Sequence, residues 1–336
     1  MGRQRALRDD DPQQGIRARA AGADALEEEI EIVSGDVSLC LLVNRRTRVM
    51  RVIDFRAGAQ ARKFELICEA ADEHEIQRAF VVVEKDEALT WTRMGFEKEG
   101  SIPGFYKRSD GHLLGMEFEH TAPSESGTRI RIRQERFVPD ASVTADDLVA
   151  PDVFGAPSRS ATLDRGERAY QAGRRLVKEN TQDFASKVKI VSARPRDIEK
   201  SVEHAQVTSR SLTGTEHFGR GSQRDYVLCT ARGGFSLLVG IEPQPCFDNA
   251  LLELLCAPRG DKEAWLMAAS LDKICEQLKA KEVSSVFAIA PADSVELSAV
   301  WVSAGFRRTG RLIRHQVLHG RRVDCFVWSR RLAEPS

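Results

Sequence analysis

No apolar run in this 336-residue chain approaches the roughly 18 residues that a membrane-crossing helix needs, so no helical membrane span is expected. The longest stretches, such as 235-FSLLVGI-241, suit buried strands. Neither sign of charge is in surplus. Fifty Lys and Arg balance fifty Asp and Glu, which argues against a general nucleic-acid binder. The seven cysteines (Cys40, Cys68, Cys229, Cys246, Cys256, Cys275 and Cys325) are odd in number, scattered and without CxxC spacing. Neither a disulfide framework nor a zinc site is expected from them, and no metal cofactor is. Most sit inside apolar segments, as reduced core thiols do. The first residues lack the apolar block of a signal peptide, and MGRQRA lacks the Ser or Thr of a myristoylation signal. A soluble, cytoplasmic protein without membrane partners is the expectation. What is present is 42% hydrophobic and 30% charged, enough for packed cores. At roughly 150 residues per domain, the length predicts about two domains.

Residues 1–29 alternate basic and acidic clusters without apolar periodicity, which predicts a disordered tail, with order beginning near Glu31. Extended runs follow at 37–43 and 48–55. Residues 58–74 then carry Ala61, Phe64, Ile67, Cys68 and Ala71 at helical spacing. A strand at 79–83, a short helix ending near Met94 and extended segments to Phe118 complete an α/β unit over 30–120. Pro, Ser, Gly and Asp then dominate to residue 162, a linker with one strand at 129–133. The second unit, 163–332, reads helix (163–182), strand (188–193), helix (196–210), strands (226–230, 235–241, 250–257), helix (262–280), strand (285–290), helix (293–304) and two long strands to 330. The helix over 262–280 has the clearest pattern: Ala264, Met267, Ala268, Leu271, Ile274, Cys275 and Leu278 fall on one face.

A repeat links the two units. Trp91, Gly95, Phe96 and Gly100 recur with the same spacing as Trp301, Gly305, Phe306 and Gly310, each time after a short helix and before a hairpin. A Gly just past a helix is a left-handed stop that any α/β protein can use. Four fixed positions with matching flanks favour two related units.

A short helix, then W-x3-GF, a strand and a closing hairpin resembles the C-terminal half of the GNAT acetyltransferases. The chain as a whole resembles the β-lysine N-acetyltransferase branch, which pairs a truncated N-terminal unit with a complete one. The residues that carry this likeness are 44-NRRTRVMRV-52, 94-MGFEKEGSIPGFYK-107 with Asp110, and 305-GFRRTGRLIRH-315 with Trp328. The resemblance implies an α/β (α+β) fold of two GNAT-like units with a mixed sheet in the second. It also implies transfer of acetyl from acetyl-CoA to a primary amine of a small molecule or amino acid. The amine would attack the thioester directly, with backbone N–H groups polarising the carbonyl. The N-terminal unit would complete the substrate cleft or form a homodimer contact.

In that family a turn between a strand and a helix grips the cofactor diphosphate, because amides at a helix mouth attract anions. The turn falls at 259-RGDKEA-264, after 250-ALLELLCA-257. Arg259, Gly260 and Ala264 fit it, whereas Lys262 and Glu263 stand where a Gly and an apolar residue are expected. The resemblance makes Leu255, Cys256, Arg259, Gly260, Asp261, Lys262 and Ala264 the cofactor contacts. The residue chemistry permits an opposite reading: Asp261 and Glu263 can cap the helix themselves and put carboxylates where phosphate would sit. Both readings stand at this point. Glu253, mid-strand, is the candidate general base, against the simpler role of an outward-facing residue; Glu242 is a second candidate. The family's Tyr acid is replaced by Trp91 and Trp301, whose indoles cannot donate a proton as an acid and suit core plugs. In the first unit, 56-RAGAQAR-62 resembles a decayed phosphate turn, supported by Gly58 alone, and an ordinary strand-to-helix turn is the better reading. His315 and His319 are expected on a surface strand without a third ligand. Eight Arg between 307 and 331 face one acid, Asp324; they form a solvated face or attract an anion. The alternative to an enzyme is a GNAT-shaped binding or scaffolding protein without catalysis.

Overall fold

A computed structural model of the protein describes residues 15–19, 27–120, 130–132, 161–180, 184, 187–212, 218–220, 223–244 and 246–333. Strand β1 (Gly15–Arg19) lies antiparallel to β2 (Glu27–Ser34), pairing Ile16 with Ile32 and Ala18 with Ile30. The expected tail is therefore shorter than 1–29, because part of it extends the sheet; the remainder lies outside the described residues. Buried Ile30 and Ile32 alternate with Glu29 and Glu31, the period-two pattern of a half-buried strand. Strands β3 (Val37–Asn44) and β4 (Val49–Asp54) continue the antiparallel meander. Helix α1 (Gln60–Glu73) crosses to β5 (Arg78–Val83), which runs parallel to β4. Its buried residues include Leu66, Ile67, Ala70 and Ala71, while Ala61 of the expected face is exposed. Helix α2 (Lys85–Arg93) leads into the hairpin of β6 (Glu97–Ile102) and β7 (Gly111–His120), and β7 pairs with β5.

Most of the expected linker lies outside the described residues; β8 (Ile130–Ile132) pairs with β7. Helix α3 (Ala161–Glu179), strand β9 (Lys189–Ser192) and helix α4 (Pro195–Val207) precede a second passage through the first half's order. That passage comprises β10 (Asp225–Ala231), β11 (Phe235–Gln244), β12 (Asn249–Leu254), α5 (Asp261–Lys279), β13 (Ser285–Pro291), α6 (Val295–Ser303), β14 (Arg307–Leu318) and β15 (Arg321–Arg331). Again only the pair joined through the long helix, β12 and β13, is parallel. The result is one continuous mixed sheet in the order β1-β2-β3-β4-β5-β7-β6-β14-β15-β13-β12-β11-β10-β9.

The repeated residues have two separate physical roles. In each half the Gly takes a left-handed conformation (Gly95 φ 94°, Gly305 φ 76°). The following Phe amide bonds back to the Trp carbonyl, at 3.1 Å for Phe96–Trp91 and 3.0 Å for Phe306–Trp301. The rings meet edge-on, with centroids 5.0 and 4.9 Å apart. This is a Schellman stop with its hydrophobic contact, and both Trp side chains are core plugs. The fourth position acts between halves: Gly100 pairs with Gly310, where β6 meets β14 and the two half-sheets fuse.

One apolar core packs under α5 and α6 and another under α1. All seven residues of the expected α5 face are buried. A third core on the opposite face binds the halves to each other, with Phe80, Phe105 and Leu113 meeting Phe218, Leu251 and Phe287. Asn249 Nδ2 donates to the Phe105 carbonyl at 2.7 Å across this seam. Pro103 and Gly104 make the expected bend, and Tyr106 O–H donates to the Val82 carbonyl at 2.7 Å.

Polar groups also cross the seam. His315 is buried rather than on a surface strand, and its Nδ1 faces Arg78 Nε at 3.4 Å. β14 meets the first half here instead of solvent. Burial, then the Arg78 and Arg322 charges, hold the imidazole well below its usual pKa. The Arg-rich hairpin is likewise tied internally: Arg311 pairs with Asp324, Arg308 with Glu167, Arg330 with Asp272, and Arg322 donates to Gln77. These four cations are tied into the fold, whereas Arg307, Arg314, Arg321 and Arg331 are exposed.

Arg78 also pairs with Glu99, whose carboxyl burial pushes up to about 7 against the pull of Arg78. A raised carboxyl pKa means the native state holds the proton more tightly. Its stability contribution is complete below the unfolded value and is lost as pH rises through about 7. Relative to Glu99→Gln, the wild-type protein should lose about 3 kcal/mol of stability between pH 4.5 and 7.5. Urea unfolding of both proteins across that range checks this. His315 acts in the opposite sense below its unfolded pKa, in both proteins, so the comparison isolates Glu99.

Candidate active site

β12 and β13 are hydrogen-bonded partners through Asn249–Ser285, Ala250–Val286 and Leu251–Phe287, and there the pairing stops. β12 continues to Leu254 and β13 to Pro291 without further pairing between them. This is where ligands collect in sheets with parallel crossovers. The chain turns at 255–260 and enters α5 through Gly260, whose extended backbone gives the helix no side-chain cap. The first intrahelical bond runs from the Ala264 amide to the Gly260 carbonyl at 3.0 Å. The amides of Asp261, Lys262 and Glu263 precede that bond and point out of the helix mouth, where an anion is favoured.

Asp261 and Lys262 are exposed beside this mouth. Glu263, not Asp261, folds back over the turn. Its carboxylate accepts the Arg259 amide at 2.6 Å and Arg259 Nε at 3.3 Å, and it pairs with Arg210 at 2.8 Å. Burial raises its pKa, but the Arg259 amide and the Arg210 guanidinium outweigh burial and hold it below the usual carboxylate range. The ionised carboxylate therefore contributes negative charge close to the amides that would bind phosphate.

Arg210 is one residue the sequence did not nominate. Ser211 forms an antiparallel bridge with Cys256; the Leu212 amide donates to the Leu255 carbonyl at 3.1 Å, and the Ala257 amide to the Arg210 carbonyl at 2.8 Å. Arg210 Nε adds a bond to the Ala257 carbonyl at 2.8 Å. Two expected cofactor contacts, Leu255 and Cys256, thus lie against the chain's own segment. Nothing in linear spacing ties Arg210 to Ala257 or Glu263.

Glu253 lies on β12 opposite Gly240 of β11, and its carboxylate accepts Arg224 Nη1 at 2.5 Å. The same guanidinium reaches Glu242 at 2.9 Å. Burial would discharge Arg224, but Glu253 and Glu242 outweigh it and raise its pKa. A carboxylate facing a permanent cation is a weak proton acceptor, because the cation favours its charged form. Cys256 offers no substitute as a nucleophile, since burial pushes its thiol pKa up.

Beside Ser211 a cleft of about 340 Å³ opens between the halves. Arg46 and Thr47 line it from the first half, and Gln206, Ser209 and His319 from the second. In the first half the corresponding helix mouth is an ordinary turn. Lys63 folds into it and pairs with Asp54 at 2.5 Å, leaving a satisfied structural junction. Among the described residues no group of three His, Cys, Asp or Glu side chains gathers as a metal site, and no helix is long and apolar enough to cross a membrane.

Neither protein-family models nor curated proteins match the sequence. Solved structures do align with the chain. The ribosomal-protein-S18-alanine N-acetyltransferase from Escherichia coli superposes with a TM-score of 0.34 at 14% identity, covering 44% of this chain and 94% of its own. The spermidine N-acetyltransferase from Vibrio cholerae, in complex with CoA and spermine, gives 0.36 at 11% identity, covering 44% and 98%.

Proposed function

We propose that the chain is an acyl-CoA-dependent N-acyltransferase with its cofactor groove in the second half. One observation carries this reading: a parallel strand pair whose pairing ends at Leu251–Phe287, followed by a helix mouth whose first three amides precede the intrahelical ladder. A gap between the unpaired strand ends would suit an extended chain and the mouth suits a diphosphate, which together match a coenzyme A thioester. Arg259, Gly260, Asp261, Lys262 and Ala264 would surround the diphosphate, with Leu255 and Cys256 along that gap. The acceptor would be a primary amine entering through the inter-half cleft, so the first half completes the substrate site through Arg46 and Thr47. More particularly, it would be a β-lysine-like amine acetyltransferase; that narrower identity rests on the sequence resemblance alone.

The coenzyme supplies the activated acyl group when bound. The chain orients the thioester through amides, excludes water, and receives the amine proton. Glu253 could serve in that last step only with Arg224 drawn away from it. That ion pair and the carboxylate of Glu263 at the turn favour the second reading, a protein of this shape without turnover.

Calorimetric titration with CoA tests the groove. The expected result is binding that Arg259→Glu weakens by about tenfold or more, since a charge-assisted phosphate contact is worth roughly 1.5–3 kcal/mol. Absence of heat and of thermal protection would sink the reading. Thiol release from acetyl-CoA with a panel of diamines and β-lysine separates enzyme from scaffold.

A further inference from the structure

We infer that Arg51 is the receptor for a carboxylate on the acyl acceptor, which makes that acceptor an amino-acid-like amine and not a polyamine. The assignment rests on the functional reading above. Arg51 lies on β4 and is 8% exposed, with its guanidinium carbon 3.8 Å from the centroid of the Phe218 ring. Among the described residues nothing accepts a hydrogen bond from its Nε or Nη1. Buried Lys63, Arg78 and Arg224, by contrast, each meet a carboxylate, in Asp54, Glu99 and Glu242. A buried guanidinium with unmet donors is costly to a fold, and its planar fork matches a carboxylate.

The surrounding polar groups do not meet that demand. Glu242 is near enough to act on the Arg51 charge, but its oxygens already take the Phe218 and Gly219 amides, Gln244 and Arg224. Tyr106, also near, spends its hydroxyl proton on the Val82 carbonyl. Arg51 keeps its charge nonetheless, since burial pulls its pKa down only to about 10.

The position suits an acceptor. Leu42 lies opposite Arg51 on the same sheet face and Ile53 two residues along it; both are half-buried, so the site borders solvent. Thr47, which lines the inter-half cleft, lies in the turn leading into the same strand. The Phe218 ring in turn packs 4.8 Å from that of Phe287, which belongs to the last parallel pair of β12 and β13. A carboxylate on Arg51 would hold the acceptor one aromatic ring from the strands assigned to the cofactor. No acidic side chain is among the described residues lining the cleft, so a polycationic acceptor finds no counter-charge there.

Calorimetry on the CoA-saturated, full-length protein tests this. The probes are amino acids bearing a β- or side-chain amine, each beside the amine that lacks only its carboxylate. At least one amino acid should bind about tenfold or more tightly than its decarboxylated counterpart. Arg51→Met should erase that difference and leave CoA affinity unchanged. A purely structural arginine would behave otherwise. Met keeps an apolar stem on the Phe218 ring and removes the unmet donors, so the ligand-free variant should unfold in urea at or above the wild-type midpoint. A preference for the bare amines, no binding by any amino acid, a difference that persists in Arg51→Met, or a clearly lower midpoint overturns the assignment and leaves the functional reading standing. Failure of the wild-type protein to bind CoA overturns both.

Discussion

Gly310→Ala should destabilise the protein by about 3 kcal/mol or more, a larger loss than any surface substitution would bring. A Cβ at this position would lie 2.5 Å from the Gly100 Cα and 2.8 Å from the Glu99 carbonyl oxygen. Built on Gly100 instead, it would lie 2.7 Å from the Gly310 Cα. The obstacles are backbone atoms in a paired strand, so no side chain can swing aside. Relief requires β6 and β14 to separate, which opens the seam that the third core fills. Urea unfolding should show the loss, and Gly100→Ala should show a comparable one. Gly260→Ala is the control: its Cβ meets nothing within 4 Å and its backbone is extended. It should change stability by less than about 1 kcal/mol. Equal effects at positions 310 and 260 would contradict this account of the seam.

Glu242→Ala should cost about 3–5 kcal/mol, the usual penalty for breaking a buried ion pair from one side. The side chain is fully buried and accepts the Phe218 amide at 2.8 Å, the Gly219 amide at 2.7 Å, Gln244 Nε2 at 3.0 Å and Arg224 Nη2 at 2.9 Å. Removing it takes an acceptor from the Phe218 and Gly219 amides and a carboxylate partner from buried Arg224. The damage extends to the seam. Those amides fix Phe218, whose ring packs 4.8 Å from Phe287 and carries Arg51 at 3.8 Å above its face. Arg51, which burial pulls down to about 10, also relies on the Glu242 charge. Glu242→Gln keeps one acceptor oxygen and should cost less than Ala. If Ala unfolds at the wild-type urea midpoint, Glu242 is not the anchor described here. The same geometry answers the question of Glu242 as a general base: every direction of approach is filled by a donor of the fold.

Local signals were readable along the chain because their causes are local. The α5 face follows from apolar residues one turn apart, each of which must meet the same core. The Trp, Gly and Phe of the repeat mark a helix stop whose bonds span only six residues, so the pattern and its cause share one stretch of chain. His315 shows the limit. Flanked by Arg314 and Gln316 on a polar hairpin, it has no linear cue to burial, and it is buried because β14 meets the first half. The Arg residues of that hairpin looked like surplus charge, yet partners such as Glu167, Gln77 and Asp272 wait on distant elements.

The amino-acid order by itself determined the order of strands and helices, the repeated Trp-Gly-Phe helix stop, and the place of a turn before a long helix, since periodicity and backbone preference act over a few residues. The tertiary structure alone decided that Gly100 and Gly310 touch, that Arg224 clamps Glu253, and that residues 210–212 bond to residues 255–257. Each depends on chain segments that meet only when apolar burial brings the two halves together, and no spacing rule reaches across such distances.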